Sequence, residues 1–188
     1  MFLTENLCER LANVRLLAMD VDGVLTDGAI AYSEQGETKR FHVADGLGLT
    51  ALRLMGYTIA WISGRESAAV SRRASELKIP HLLAGARDKA QTLRELMTQI
   101  GCAKEQTAYI GDDWNDLPAF ETAGVSIAVA NAAVEVRLRA DCVTERAGGQ
   151  SAVREVCDAL LEATGMREAA LQAYLSLLRD EAIAQSGQ

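Results

Sequence analysis

Short apolar runs alternate along the chain with longer stretches whose apolar residues recur every three or four positions. The runs Val14–Met19, Thr58–Ile62, His81–Ala84, Gln106–Ile110, Val125–Val129 and Asp141–Val143 predict buried strands. Between them, helical spacing is expected over 4–12, 46–55 (Leu47, Leu49, Leu52, Leu54), 67–77, 88–99, from Val134, and over 152–163. Asp45 reads as the N-cap of the second helix and Gly56 as its stop. Strands alternating with helices at this spacing predict an α/β fold, with a mostly parallel sheet flanked by helices and right-handed crossovers. The one sizeable departure is 29–43, where two β-prone runs flank the polar turn Ser33-Glu34-Gln35-Gly36-Glu37. That pattern predicts a hairpin. Residues 166–184 set Leu171, Tyr174, Leu175, Leu178 and Ala182 along one face, an amphipathic helix expected to pack on its own subunit.

Composition narrows the class. With 188 residues, 49% of them hydrophobic and 24% charged, the chain is expected to form one soluble domain, its core at about 14–163. A net charge of −7 and no Lys/Arg-rich run argue against nucleic acid and anionic membranes as partners. Cys8, Cys102, Cys142 and Cys157 are scattered and only His42 and His81 accompany them, which disfavours a zinc site or a disulfide framework. The start Met1-Phe2-Leu3-Thr4-Glu5 lacks a signal-like segment, and no apolar stretch is long enough to span a bilayer. A reducing cytoplasm is the expected compartment.

The candidate chemistry gathers where the strands end. Asp20 and Asp22 follow the first strand, Ser63-Gly64-Arg65 the second, and Gly111-Asp112-Asp113-Trp114-Asn115-Asp116 the fourth, with Lys89 in the first turn of a helix. Open α/β sheets place ligands at the carboxyl ends of their strands, so these residues converge on one edge. Clustered carboxylates repel one another and call for a hard divalent cation, for which Mg²⁺ with carboxylate, water and phosphate oxygens is the natural choice. Lys89, the Ser63 hydroxyl and backbone N–H groups near Gly64 are what a phosphate needs. A carboxylate can also serve as nucleophile through an aspartyl-phosphate. Taken singly, Ser63 reads as a helix N-cap and Lys89 as a surface lysine; Asp27 and Asp45 read as turn and cap residues, and His42 as structural.

In order and spacing, Asp20-x-Asp22, Ser63, Lys89 and Gly111-Asp112-Asp113-x-x-Asp116 resemble the four motifs of the haloacid dehalogenase superfamily of phosphatases and phosphotransferases. A closer resemblance joins Asp20-Val21-Asp22-Gly23-Val24-Leu25-Thr26-Asp27-Gly28, the hairpin, Asp45-Gly46-x-Gly48, Ile62-Ser63-Gly64-Arg65 and Gly148-Gly149-x-x-Ala152-Val153-Arg154-Glu155. Together these are similar to the capless sugar-acid phosphatases of that superfamily. The resemblance implies a Rossmann-like fold without a cap domain and Asp20 as nucleophile. It implies Asp22 as general acid and then base. Mg²⁺ would be held by Asp20, the backbone carbonyl of Asp22, and Asp112. Asp113 and Asp116 are either further ligands or supports behind them, with Asp116 favoured as a support. Ser63, Gly64 and Lys89 would hold the phosphate, and Arg65 would contact the substrate. Arg65 favours the eight-carbon acid 3-deoxy-D-manno-octulosonate 8-phosphate, which belongs to lipopolysaccharide sugar synthesis, over a nine-carbon sialic-acid-like 9-phosphate. The relatives form homotetramers whose hairpins associate and whose neighbouring subunits shield the site.

Two departures stand out. Where relatives read Gly-Gly-x-Gly, often with Arg third, this chain has Gly148-Gly149-Gln150-Ser151. If a tail arginine binds substrate, Arg146 or Arg154 must replace it, or specificity has drifted. Two further function classes compete. A signalling receiver domain also gathers Asp, a hydroxyl and Lys on a parallel sheet, but lacks an acid two residues after its phosphorylated Asp. A non-catalytic oligomerisation module would not need to keep all of Asp20, Asp22, Ser63, Lys89 and Asp112. Trp114 suits pocket lining and packing equally well.

Overall fold

The computed structural model describes residues 4–34 and 36–186; Met1–Leu3 and Gln35 of the predicted hairpin turn lie outside the described residues. The order begins α1 (Glu5–Ala12), β1 (Leu16–Met19), β2 (Ala31–Ser33), β3 (Gly36–Thr38), α2 (Val43–Leu54) and β4 (Thr58–Ser63). It continues α3 (Ala68–Glu76), β5 (His81–Ala84), α4 (Lys89–Ile100), β6 (Thr107–Gly111), α5 (Leu117–Thr122) and β7 (Val125–Ala128). It closes with α6 (Val134–Arg137), β8 (Cys142–Val143), α7 (Ala152–Ala163) and α8 (Arg167–Ser186). Six strands form one sheet in the order β5-β4-β1-β6-β7-β8. Each neighbouring pair is parallel. The fold is therefore the expected α/β arrangement.

The register explains where the chemistry collects. Met19 lies level with Trp61 on β4 and with Ile110 on β6. Asp20, Ser63 and Asp112 consequently leave three adjacent strands at the same edge. Every side chain of β1 is buried, as a central parallel strand requires. Leu16, Leu17 and Met19 have no exposure, and each such side chain contributes ~1.5–3 kcal/mol by its burial. The helices pack in two groups, α1, α2 and α8 against α7 or each other, and α4 against α5. β2 and β3 pair only with each other, in a separate two-stranded ladder.

Three expectations need correction. The second helix starts earlier than predicted: His42 caps it through Nδ1, which accepts from Ala44 N at 3.2 Å. Asp45 therefore stands inside the first turn, buried, where its Oδ1 accepts from Arg154 N at 2.7 Å and ties α2 to the start of α7. The hairpin strands are also shorter than 29–43: residues 29–30 and 39–42 lie outside the ladder, which pairs Ala31–Ser33 with Gly36–Thr38. Finally, α8 is less covered than its apolar stripe suggests. Ala170 is 2% exposed, but Leu171 is 50% and Leu178 43% exposed.

Candidate active site

The loop after β1 is held by its own backbone. Asp20 N donates to Ile110 O at 3.0 Å, and Leu25 N and Thr26 N close turns onto Val21 O at 2.9 and 3.1 Å. Asp20 itself is 6% exposed, its Oδ1 accepting from Val21 N at 2.7 Å. Gly23 is required by what lies opposite, since a Cβ there would stand 2.0 Å from Asp112 Oδ2. The Gly148-Gly149 turn wedges against the same loop: a Cβ on Gly148 would meet Gly23 O at 1.7 Å, and Gly149 N donates to Val24 O at 3.0 Å. The tail motif is thus a structural support for the double-Asp loop.

Lys89 and Asp116 organise the interior of the site. Asp88 caps α4 by accepting from Gln91 N at 2.9 Å, which aims the first-turn Lys89 inward. Its Nζ lies 2.8 Å from Asp20 Oδ2 and 2.7 Å from Asp116 Oδ1. Asp116 is wholly buried and saturated. Its Oδ1 also accepts from Tyr109 Oη at 2.9 Å, and its Oδ2 from Asp112 N at 2.9 Å and Asp113 N at 3.3 Å. Gly111 lets this carboxylate fold back against the strand, for a Cβ there would stand 2.5 Å from Asp116 Cβ.

Asp20, Asp112 and Asp116 offer ligand oxygens all within 4.8 Å of one another, the grouping found among the described residues. Burial, then the charge of Asp116, pushes Asp20 up to about 6 against the pull of Lys89. Burial, then Asp20 and Asp116, pushes Asp112 up to about 8. Asp112 Oδ1 is buried without a hydrogen-bond partner. Two hard oxygen donors that repel each other, one of them unpartnered, suit a Mg²⁺-like cation. Asp116 has no lone pair to spare, which suits a support better than a ligand. Asp113 accepts from Trp114 N at 2.8 Å and is exposed, away from that interior.

The remaining expected residues are placed as follows. Ser63 is 1% exposed at the end of β4, its Oγ accepting from Arg65 N at 3.2 Å and donating to Arg65 O at 3.0 Å. Gly64 is exposed in the loop that follows. Arg65 reaches the hairpin, where it donates to Glu37 Oε2 at 3.0 Å and to Tyr32 Oη at 3.3 Å. The Asp22 carboxylate stands outside the three-carboxylate group and accepts from Lys39 Nζ. Asp27 serves its turn, accepting from Ala29 N at 3.1 Å, and pairs with Arg40.

The departures in the tail also find a physical account. Ser151 adopts a left-handed φ of +72°, a conformation that costs ~1 kcal/mol or more without glycine. Its hydroxyl lies 2.8 Å from His42 Nδ1, an interaction glycine could not make. Gln150 is exposed, and Arg154 pairs with Asp158 at 2.9 Å. Lys39, Glu37 and Tyr109 escaped sequence reasoning. Lys39 and Glu37 read as ordinary hairpin charges, and Tyr109 as one more apolar residue of a buried strand.

Comparison with known proteins agrees with this geometry. Residues 59–156 match the haloacid dehalogenase-like hydrolase family. The chain is 44% identical over 158 residues to the 3-deoxy-D-manno-octulosonate 8-phosphate phosphatase of Haemophilus influenzae, covering 84% of this chain and 88% of that one. It superposes with a TM-score of 0.86 at 44% identity on the Moraxella catarrhalis phosphatase of that name, crystallised with magnesium, phosphate and KDO. That match covers 91% of this chain and 99% of the other. The cobalt-bound Haemophilus influenzae enzyme gives a TM-score of 0.83 at 43% identity, over 88% of this chain and 99% of that one. The chain belongs to the haloacid dehalogenase-like hydrolases and, within them, to the family of the 3-deoxy-D-manno-octulosonate 8-phosphate phosphatases.

Proposed function

We propose that the protein is a Mg²⁺-dependent phosphatase that hydrolyses 3-deoxy-D-manno-octulosonate 8-phosphate to the free sugar acid and inorganic phosphate. The observation that carries the reading is Asp20 at the end of β1, 2.8 Å from the buried Lys89 and grouped with Asp112, with Asp22 two residues on. An oxygen of Asp20 attacks phosphorus, the bond from phosphorus to the sugar oxygen breaks, and the departing oxygen takes its proton from the Asp22 carboxyl. Water then attacks phosphorus of the aspartyl-phosphate, giving its proton to the Asp22 carboxylate. The bond to Asp20 breaks, and phosphate leaves. Lys89, Ser63 and the N–H groups around Gly64 hold the phosphoryl oxygens. Asp20, Asp112 and the Asp22 carbonyl hold Mg²⁺, which when bound neutralises charge on the phosphoryl oxygens. Asp116 keeps Lys89 and the Asp112 backbone in place, and the exposed Asp113 fixes the turn beside them by accepting from Trp114 N.

The same reading covers assembly and setting. The whole chain acts as one domain without a cap. The hairpin leaves Tyr32 75% exposed, while Trp114 and Leu138 present 64% and 78% of their surface. An open site beside exposed apolar side chains supports a homotetramer in which a neighbouring subunit closes each site. Among the described residues no helix is long and apolar enough to cross a membrane, in keeping with a cytoplasmic enzyme of lipopolysaccharide sugar synthesis.

The test is phosphate release from 3-deoxy-D-manno-octulosonate 8-phosphate with Mg²⁺, set beside other sugar phosphates, a nine-carbon 9-phosphate among them. Preference for the eight-carbon substrate, lost with EDTA and reduced at least ~10³-fold in Asp20→Asn, is the expected result. Equal rates on all of them would keep the chemistry and discard the substrate. Activity surviving Asp20→Asn would discard the mechanism.

A further inference from the structure

Lys39 lies just past β3 and its side chain has 0% exposure. An ammonium so withdrawn from water costs several kcal/mol unless it is well paired. Its Nζ donates to Asp22 Oδ1, and Glu37 Oε1 stands 3.5 Å away. Glu37 is engaged on its other flank: Ser67 Oγ donates to Oε1 at 2.6 Å and Arg65 to Oε2 at 3.0 Å. A continuous polar chain thus runs from Asp22 through two residues of the hairpin to the loop after β4. It stands apart from the Asp20–Lys89–Asp116 group. Neutralising the carboxylate group therefore does not explain Lys39, and nothing in a three-residue hairpin strand needs a buried lysine.

We propose that Lys39 is a positioning residue for the proton-transfer step: it fixes the Asp22 carboxylate where the leaving sugar oxygen will be, and through Glu37 it makes that placement depend on the docked hairpin. The inference rests on Asp22 as acid and base. An unpaired carboxylate on a half-buried residue such as Asp22 still samples several rotamers, and a proton donor must stand within hydrogen-bond reach of its acceptor. Lys39 removes that freedom without touching the phosphoryl group.

A leaving-group comparison on the Mg²⁺-loaded protein tests this. The sugar alkoxide leaves poorly and needs the proton; p-nitrophenolate leaves without it. In Lys39→Met, kcat/KM for the sugar phosphate is expected to fall ~100-fold and for p-nitrophenyl phosphate less than ~5-fold, with Lys39→Arg recovering most of the loss. Equal losses on both substrates in a folded variant, or no loss on either, would overturn the proposal. Should Lys39→Met not fold by circular dichroism, Glu37→Gln gives the same split at ~5–10-fold if the proposal holds and an even loss if it does not. Asp22→Asn separates this inference from its foundation. A split there but not in Lys39→Met overturns the role of Lys39 alone, whereas no split in Asp22→Asn removes the acid–base reading itself.

Discussion

Lys89 and Lys39 each sit between two carboxylates with almost no exposure, 2% and 0% of their side chains, yet different parts of the chain deliver them. Lys89 projects from the first turn of α4, whose Asp88 N-cap and packing against α5 fix its direction before any substrate arrives. Lys39 hangs at the end of two three-residue strands that pair only with each other, and an isolated hairpin of that size is marginal in water. Core geometry sets one cation, and docking of an insertion sets the other. The lesson is one of division of labour. Asp20, Ser63 and Lys89 stand at the strand ends and in the first turn of α4, while Lys39 is tied to a hairpin outside the six-stranded sheet.

The largest expected effect breaks that comparison if it fails. Lys89→Met leaves the buried Asp20 and Asp116 carboxylates facing each other with no cation between them, so denaturant unfolding should show ~3–5 kcal/mol of lost stability. Steady-state kinetics should show kcat/KM down ~10³-fold on sugar and aryl phosphates alike. Lys39→Met should cost far less stability and discriminate between the two leaving groups. Equal behaviour of the two variants would erase the distinction between core and insertion.

Metal dependence sharpens it next. Asp112, pushed up to about 8 mainly by burial and then by Asp20 and Asp116, favours its protonated form in the metal-free fold. The stability that goes with that form is whole below the unfolded pKa of ~4 and is lost as pH rises through about 8. Metal-free Asp112→Asn should therefore melt higher than the metal-free parent at pH 8, the gap closing toward pH 4, and Mg²⁺ should raise the melting temperature of the parent only. Calorimetric scans with Mg²⁺ and with EDTA decide this, and a variant still stabilised by Mg²⁺ would remove Asp112 from the ligands.

The smallest effect belongs to Asp45, in the join between α2 and α7. Burial holds its carboxyl up to about 6, and its Oδ2 is buried without a partner. Its contribution is likewise intact below pH ~4 and lost as pH rises through about 6. Asp45→Asn keeps the oxygen that accepts from Arg154 N and removes the buried charge, so it should stabilise by ~1–3 kcal/mol at pH 8 and by little at pH 4, with kcat unchanged. Chemical denaturation at the two pH values measures the difference; a gain of the same size at both would assign it to packing instead.

The sequence by itself determined the alternation of strands and helices, the strand ends at which polar residues gather, and the convergence of Asp20, Ser63, Lys89 and Asp112 on one edge of the sheet. Local rules act there: apolar runs must be buried, caps fix helix starts, and a parallel sheet brings strand ends to one edge. The motif order carried the family in the same way. Only the tertiary structure decided that Asp45 is a buried tie between helices rather than a cap, because Arg154, 109 positions away, supplies its partner. It also decided that Asp116 is saturated by Lys89, Tyr109 and two amides, and that Lys39 rather than solvent faces Asp22. Hydrogen bonds between distant residues leave no period in a sequence, and a lysine in a hairpin reads as a solvated charge until the fold closes over it.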